Sequence, residues 1–242
     1  MMKKDPSPAA YLFPNFFTAA SIFTGFYSIS LALHQEFSAS AWFIFLALVF
    51  DGLDGRVARL TNTASHFGVE FDSLADIVAF GVAPALLMYL YVGEGYGRVG
   101  IVVSALFIIM GAVRLARFNV ITSRVEPSVF IGLPIPTAAV IIATSVLLLE
   151  RYPELGGWKS ILLPLGIVLA VLMVSNIRYP SFKKVNFKAF HLLRLLVGVI
   201  VVAMGIFIYP IEGMALLAAG YLLYGPARAS FYLLRRLTGH RG

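Results

Sequence analysis

Four aspartates lie close together in an otherwise apolar part of the sequence. Asp51 and Asp54 are three residues apart, and Asp72 and Asp76 are four residues apart. On a helix, both spacings put the two carboxylates on one face. A charge inside a membrane helix is costly unless it is paired, binds a cation or lines a polar cavity. The acids are therefore candidate functional residues, and on this evidence an ion-coupled transporter and a metal-dependent enzyme are both open.

The short connection between the two pairs predicts that they face each other. Residues 61–66 join the two helical stretches, so the helices run antiparallel and both pairs stand near the same helix ends. Converging carboxylates repel one another unless cations lie between them. Mg²⁺ and Mn²⁺ are hard cations that favour such oxygen ligands. Two of these ions can clamp a pyrophosphate and stabilise an in-line displacement at phosphorus.

Small residues accompany the acids. Gly55 and Ala58 follow Asp54 on the same helix, and Gly68 lies four residues before Asp72. Positions without bulky side chains let a flat base or a phosphate approach the backbone. Taken one at a time, each of these small residues is explained equally well by close helix packing.

The whole stretch from Asp51 to Asp76 resembles the signature of the CDP-alcohol phosphatidyltransferases. The pattern D-x-x-D-G-x-x-A-R-x(8)-G-x-x-x-D-x-x-x-D is satisfied at every position. Members of this family displace CMP from a CDP-linked lipid by the attack of an alcohol. With the full spacing present, the transporter becomes the remote alternative, because the C-terminal half contains no second acidic cluster and no inverted repeat.

The resemblance implies a role for each of these residues. Asp51, Asp54 and Asp72 would bind two divalent cations, Mg²⁺ or Mn²⁺. Asp76 would help to hold the second cation and act as the general base. The CDP-lipid would be bound by small and polar residues of the signature and by two residues of a shorter match in the first helix: Gly55, Ala58, Arg59, Gly68, Asn15 and Thr18.

A second resemblance concerns the acceptor alcohol. The segments Arg114-Leu-Ala-Arg117-Phe-Asn119 and Phe130-Ile-Gly-Leu-Pro-Ile-Pro136 are similar to the membrane-integral phosphatidylserine synthase branch of the family. This implies transfer from CDP-diacylglycerol to L-serine. Arg114 and Arg117 can hold the serine carboxylate in a bidentate fork, and Asn119 can donate and accept hydrogen bonds. Basic residues also suit an alcohol phosphate, so glycerol phosphate and inositol phosphate stay open as acceptors.

The elements that carry these residues are predicted to be membrane helices. The chain has 242 residues, of which 60% are hydrophobic, 13% are charged and none is cysteine. A mean hydropathy of +0.87 excludes an ordinary soluble domain. We predict an all-α integral membrane protein, a single domain over residues 1–242 with about eight transmembrane helices and a polar cavity open to the cytoplasmic side. The predicted spans are Phe13–Leu33, Ser40–Leu60, Phe67–Tyr91, Gly97–Phe118, Pro134–Leu149, Trp158–Asn176, Leu192–Tyr209 and Met214–Leu234.

The distribution of positive charge predicts the orientation of these spans. Of the 19 lysines and arginines, 16 fall on one side of the predicted spans and only Arg98, Arg151 and Lys159 fall on the other. The positive-inside rule therefore places both termini and the aspartates on the cytoplasmic side of the cell membrane. The net charge of +7 needs no nucleic acid partner, and the basic face would attract anionic lipid headgroups and substrates. Homodimers are common in the family, and the apolar later helices offer a surface for one.

Overall fold

A computed structural model describes residues 8–61, 63, 65–121, 129–180 and 192–238, and most of them are helical. The prediction of a helical membrane protein is confirmed. A π-helical segment, Ile77–Val82, joins the third helix to the fourth, and 3₁₀ segments at Gly93–Tyr96 and Pro153–Ile161 precede the fifth and seventh helices. The helices are α1 Pro8–Leu33, α2 Phe37–Thr61, α3 His66–Asp76, α4 Ala83–Tyr91, α5 Arg98–Ile121, α6 Ile135–Arg151, α7 Leu162–Val174, α8 Leu192–Ile208 and α9 Pro210–Thr238.

Five helical stretches in the described part of the chain are long and apolar enough to cross a membrane. They match the first, second, third, fourth and sixth predicted spans, and they are Leu12–Leu33, Phe37–Thr61, His66–Tyr91, Arg98–Val120 and Pro153–Val174. The other three predicted spans fall on α6, α8 and α9. Both α6 and α8 have 17 residues, which corresponds to a length of roughly 26 Å at 1.5 Å per residue.

Two short strands were not predicted from the sequence. Strand β1, Val129–Ile131, pairs antiparallel with β2, Arg178–Pro180, and Phe130 lies opposite Tyr179. Each strand has three residues, which is too short to show an alternating pattern. The two strands are also far apart in the sequence, so only the packing of α6 and α7 brings them together.

Helices α1 and α2 form an antiparallel pair that fixes the level of the aspartates. Hydroxyl groups cross the contact: Ser28 Oγ donates to the carbonyl of Ser40 at 2.8 Å, and Ser21 Oγ donates to the carbonyl of Ala47 at 3.3 Å. In an apolar medium such hydrogen bonds and small residues hold helices together. The pairing sets the N-terminal part of α1 beside the C-terminal part of α2, where Asp51 and Asp54 lie.

Helix α6 lies at the centre of the bundle. It contacts α2, α4, α7 and α9. Three small residues on its packing surfaces, Ala138, Ala139 and Ala143, are fully buried. Alanines at these positions allow the surrounding helices to approach closely.

The helix that carries Asp72 and Asp76 has well-defined ends. Ser65 caps the start of α3 by accepting a hydrogen bond from the backbone N–H of Gly68 at 3.0 Å. The π-helical segment begins directly after Asp76 and packs against α1, where a Cβ added to Gly25 would stand 2.7 Å from Ala79 Cα. Such π-segments are frequent at functional sites.

Candidate active site

Three of the four aspartates meet at one point between α2 and α3. One carboxylate oxygen each from Asp51, Asp72 and Asp76 lies within 4.8 Å of the others, and we call these three residues the carboxylate cluster. Asp76 is buried, with 8% of its surface exposed. Antiparallel helices therefore bring the two acidic pairs face to face, as their spacing predicts.

Asp54 has different surroundings from the other three acids. It is buried, with 6% of its surface exposed, and its Oδ2 accepts a hydrogen bond from Thr18 Oγ1 of α1 at 2.8 Å. Among the described residues it does not belong to the group of three whose oxygens converge. Helix α1 therefore orients the carboxylate of Asp54 separately from the cluster.

A cleft of about 190 Å³ lies directly beside the cluster. Asp72 belongs both to the cluster and to the wall of this cleft, and Asp54 lies on the same wall. The structure brings all six residues predicted to bind the CDP-lipid into this one cleft. They are Asn15, Thr18, Gly55, Ala58, Arg59 and Gly68.

The glycines of the cleft make room for polar atoms. A Cβ added to Gly68 would lie 3.2 Å from Ser65 Oγ and 3.7 Å from Asn15 Oδ1. A Cβ added to Gly55 would lie 3.4 Å from Arg59 Nη1, because the arginine folds back over its own helix. Larger side chains at either position would crowd the groups that could contact a nucleotide.

Four further residues of the cleft were missed from the sequence: Pro14, Thr63, Ser65 and Val69. Thr63 is buried, and its Oγ1 lies 2.6 Å from Thr61 Oγ1. A sequence signal did exist for Ser65, since a serine just before a helical stretch is a typical N-cap. Thr63 gives no such local signal, because only the turn between α2 and α3 carries it into the cleft.

The carboxylate cluster suits a divalent cation. Its donors are carboxylate oxygens, which hard cations such as Mg²⁺ prefer. Asp76 Oδ1 is buried and accepts no hydrogen bond within the described ranges, so it is available as a ligand. Three carboxylates at this separation repel one another, and a shared cation relieves that repulsion.

Arg114 and Asn119 approach the cluster from α5. Arg114 is buried, with 7% of its surface exposed, and its charge interacts with that of Asp76. Its guanidinium carbon lies 5.3 Å from the centre of the Phe118 ring. Asn119 Nδ2 donates to Ser73 Oγ at 3.0 Å, and Ser73 is the neighbour of Asp72. Two of the three predicted acceptor residues, Arg114 and Asn119, therefore lie in the surroundings of the cluster.

Arg117 is hydrogen-bonded to the chain at the end of α7. Its Nη1 donates to the carbonyl of Val174 at 2.9 Å, and its Nη2 donates to Asn176 Oδ1 at 2.8 Å. These hydrogen bonds hold the C-terminal end of α7. The structure therefore places Arg117 against the end of α7, and its predicted role in an acceptor pocket with Arg114 stays a prediction.

The segment from Phe130 to Pro136 supports the same end of α7. Gly132 has a φ of +78°, and its N–H donates to the carbonyl of Ile177 at 2.8 Å. A Cβ at this glycine would stand 2.2 Å from the carbonyl oxygen of Met173. Leu133 donates to the carbonyl of Leu172 at 3.0 Å. The segment from Phe130 to Pro136 therefore links β1 to α7 and β2 through backbone hydrogen bonds.

Comparison with known proteins identifies the family. Residues 11–173 match the family model described as CDP-alcohol phosphatidyltransferase. This chain belongs to the CDP-alcohol phosphatidyltransferase family. It is therefore an enzyme, a membrane-bound transferase of phospholipid biosynthesis, and the expectation from the aspartate signature is confirmed.

Several curated proteins are similar to this phosphatidyltransferase. The CDP-diacylglycerol–serine O-phosphatidyltransferase of Helicobacter pylori (strain ATCC 700392 / 26695) is 50% identical over 231 residues, which cover 95% of this chain and 96% of that protein. The Bacillus subtilis (strain 168) protein of the same name is 36% identical over 71% of this chain and 91% of its own. The archaetidylserine synthase of Methanothermobacter thermautotrophicus (strain ATCC 29096 / DSM 1053 / JCM 10044 / NBRC 100330 / Delta H) is 37% identical over 74% of each chain.

Proposed function

We propose that this phosphatidyltransferase moves the phosphatidyl group of CDP-diacylglycerol to the hydroxyl of L-serine, forming phosphatidylserine and releasing CMP. The observation that carries the proposal is the 50% identity, over 95% of the chain, to an enzyme named for this reaction. The archaeal relative supports the same acceptor, since its name also contains serine while its lipid differs. Glycerol phosphate and inositol phosphate are the acceptors that the test must exclude.

The cleft is the proposed site of the CDP headgroup. Arg59 supplies a positive charge for the diphosphate, and Asn15 supplies an amide that can donate or accept hydrogen bonds. Gly55, Ala58 and Gly68 leave the helix backbones open to the nucleotide. The presence of all these residues in one cleft beside the carboxylate cluster supports this assignment.

The proposed cofactors are two divalent cations, Mg²⁺ or Mn²⁺, held by Asp51, Asp54, Asp72 and Asp76. Asp72 can serve both ions, because it belongs to the cluster and to the cleft wall that contains Asp54. When bound, such cations neutralise the diphosphate and the charge that develops on the leaving CMP. Thr18 holds the Asp54 carboxylate toward the cleft through its hydrogen bond.

Asp76 is the proposed general base. The serine hydroxyl oxygen forms a bond to the lipid phosphorus, the bond from that phosphorus to the bridging oxygen of CMP breaks, and the hydroxyl proton passes to Asp76. A buried carboxylate oxygen without a hydrogen-bond partner in the described chain supports this role. Arg114 is placed to hold the serine carboxylate, and Asn119 to contact serine or steady α3 through Ser73.

The arrangement in the membrane is also a proposal. We place both termini and the mouth of the cleft on the cytoplasmic side, because 16 of the 19 basic residues fall on the side that carries the aspartates. Residues 1–242 form one domain in this proposal. The exposed apolar side chains of α8, such as Phe207 and Ile208, face lipid or the second subunit of a homodimer.

An acceptor panel tests the proposed function. Membranes containing the chain are supplied with CDP-diacylglycerol, Mn²⁺ or Mg²⁺ and one alcohol at a time: L-serine, glycerol 3-phosphate or inositol phosphate. We expect CMP release that depends on serine, stops with a chelator and returns when either cation is added back. Better turnover with glycerol 3-phosphate would contradict the serine assignment but not the reaction class. Ion flux in proteoliposomes without CMP release would favour a transporter, and full turnover in excess chelator would contradict the cation centre.

A further inference from the structure

Asp76 stands at the junction of two kinds of helix. Helix α3 ends at this residue, and the π-helical segment Ile77–Val82 begins directly after it. There the backbone N–H of Ala83 donates to the carbonyl of Val78, five residues earlier, so the turn contains one residue more than an α-helical turn. One extra residue rotates the helix face by about 100°, because an α-helix has 3.6 residues per turn. The π-helical segment therefore sets the direction in which α3 presents Asp76.

One oxygen of Asp76 is not aimed by any hydrogen bond. Its Oδ1 is buried and accepts no hydrogen bond from the part of the chain that the structure describes. Asp54 differs, since the hydroxyl of Thr18 on α1 donates to its Oδ2. The direction of Asp76 Oδ1 therefore depends on the position of the backbone that carries this residue.

Helix α1 contacts that backbone at Gly25. The glycine is buried, and a Cβ added to it would stand 2.7 Å from Ala79 Cα, 3.0 Å from Ala79 Cβ and 3.2 Å from the Ala79 backbone nitrogen. Ala79 is fully buried and lies three residues after Asp76. Two of these three atoms belong to the backbone, so a side chain at position 25 would fit only if α1 or the π-helical segment moved.

One face of α1 contacts both parts of the site. Thr18, which holds Asp54, and Gly25, which lies against the segment after Asp76, are seven residues apart. Seven residues are close to two α-helical turns, so both positions lie on the same face, about 10.5 Å apart along the helix axis. Helix α1 therefore touches the carriers of Asp54, outside the carboxylate cluster, and of Asp76, within it.

We propose that Gly25 is a positioning residue that lets α1 lie against the π-helical segment and thereby holds Asp76 in the carboxylate cluster at the distance that a divalent cation requires. The inference rests on the cation centre of the proposed function. Mg²⁺ demands a near-octahedral set of oxygens at about 2.0–2.1 Å. Non-bonded carbon atoms prefer separations of about 3.5–4.0 Å, so a methyl group at position 25 would displace the segment by roughly 1 Å. Such a displacement exceeds what this coordination tolerates.

Direct binding of Mn²⁺ to the detergent-purified chain tests this role without any turnover. The loss of the free Mn²⁺ signal in electron paramagnetic resonance gives the Kd. For Gly25→Ala we expect the Kd for Mn²⁺ to rise by about 10-fold, which is a typical effect of disturbing the groups that orient metal ligands. CMP release in membranes, normalised to the amount of chain present, should then require a correspondingly higher Mn²⁺ concentration.

Two matched controls separate this role from general damage to the bundle. Gly81 lies in the same π-helical segment, but a Cβ there would meet Ile135 Cδ1 and Ile77 Cδ1 at 3.6 Å, an ordinary contact distance. Gly81→Ala should therefore leave the Kd for Mn²⁺ unchanged. Gly166 is a buried glycine of α7 whose added Cβ would crowd Met88 Sδ of α4 at 2.8 Å. Gly166→Ala should lower the unfolding temperature without changing the Kd for Mn²⁺.

The outcomes distinguish this inference from the proposed function. A parent chain that binds no Mn²⁺ contradicts the proposed cation centre itself. A parent that binds Mn²⁺, combined with a Gly25→Ala chain that binds it equally well, overturns the inference alone. A lower unfolding temperature of Gly25→Ala with an unchanged Kd would show a purely structural role and would also overturn it.

A milder variant covers the case in which Gly25→Ala does not accumulate in the membrane. Combining Gly25→Ala with Ala79→Gly removes the contact with Ala79 Cβ and leaves the contact with Ala79 Cα. We expect this double variant to accumulate and to bind Mn²⁺ more weakly than the parent does. Failure of both variants to accumulate would assign Gly25 to folding of the bundle alone and would overturn the inference.

Discussion

At the scale of single residues, four aspartates of identical chemistry have two kinds of surroundings. Asp51, Asp72 and Asp76 share one cluster, whereas Asp54 is oriented by a hydroxyl from another helix. Replacing any one of them therefore tests a different part of the site. Two predictions follow from this division.

Thr18→Val removes the hydrogen bond to Asp54 while keeping the shape of the side chain. We expect the KM for CDP-diacylglycerol to rise by roughly 10-fold, because a hydrogen bond to a charged group contributes about 1.5–3 kcal/mol. Thr18→Ser should retain most of the affinity. Thr24→Val is the matched control, since within the described residues the hydroxyl of Thr24 donates only to carbonyls of its own helix. Equal effects of the Thr18 and Thr24 valine variants on lipid KM would contradict the role of Thr18.

Asp76→Asn keeps the size of the proposed base but cannot accept the hydroxyl proton. We expect kcat to fall by about 10²–10⁴, which is the usual contribution of a general base. At saturating Mn²⁺ the KM for CDP-diacylglycerol should change far less than it does in Asp54→Asn. Steady-state kinetics on both substrates measures the difference. Turnover close to that of the parent enzyme would exclude Asp76 as the base.

At the scale of elements, several contacts between distant segments meet at the end of α7. Hydrogen bonds from Arg117 and from the turn at Gly132 hold this end of the helix. The pairing of β1 with β2 holds the segment that follows it. Strand β2 in turn carries Tyr179 to α9. A segment of sequence that resembles an acceptor motif therefore holds the end of α7 and the strand that contacts α9.

Arg117→Ala should mainly lower stability. Two hydrogen bonds from a charged group to α7 and Asn176 would be lost, which we estimate at roughly 1.5–3 kcal/mol and a decrease of about 3–10 °C in unfolding temperature. Thermal unfolding in detergent and the KM for serine would be measured on the same preparation. Arg114→Ala should show the opposite pattern, with a strongly raised serine KM. If both variants raised the KM for serine equally, Arg117 would also belong to the acceptor site.

At the scale of the whole molecule, orientation in the membrane decides which side of the cell supplies the substrates. The excess of positive charge on the side of the aspartates predicts that the cleft faces the cytoplasm. CMP would then be released into the cytoplasm, and serine would be taken from it.

The lack of cysteine in the chain makes this orientation easy to measure. Glu94 and His66 are both exposed, at opposite ends of the third helical stretch. In intact cells, a membrane-impermeant maleimide should label Glu94→Cys and should label His66→Cys only after the cells are broken. The unaltered chain provides a background free of thiols. Labelling of His66→Cys in intact cells, and of Glu94→Cys only in broken cells, would contradict the proposed orientation.

The sequence alone determined the features that depend on local spacing and on composition. Separations of three and four residues set which carboxylates share a helix face, and long apolar runs set the helices. The family also followed from fixed spacing within 26 residues, from Asp51 to Asp76. These features can be predicted from the sequence because helix periodicity converts a distance along the sequence directly into a direction in space.

Only the tertiary structure decided which side chains meet across helices. Spacing placed Arg114 and Arg117 at one helix end. Because α7 packs against α5, Arg117 donates hydrogen bonds to Val174 and Asn176. The charge of Arg114 instead interacts with that of Asp76. Tyr221 of α9 stacks on Tyr179 of β2, which lies 42 residues earlier in the chain. Such contacts depend on the close approach of whole helices. Glycines and alanines that lie far apart in the sequence permit this approach, so no local sequence pattern predicts it.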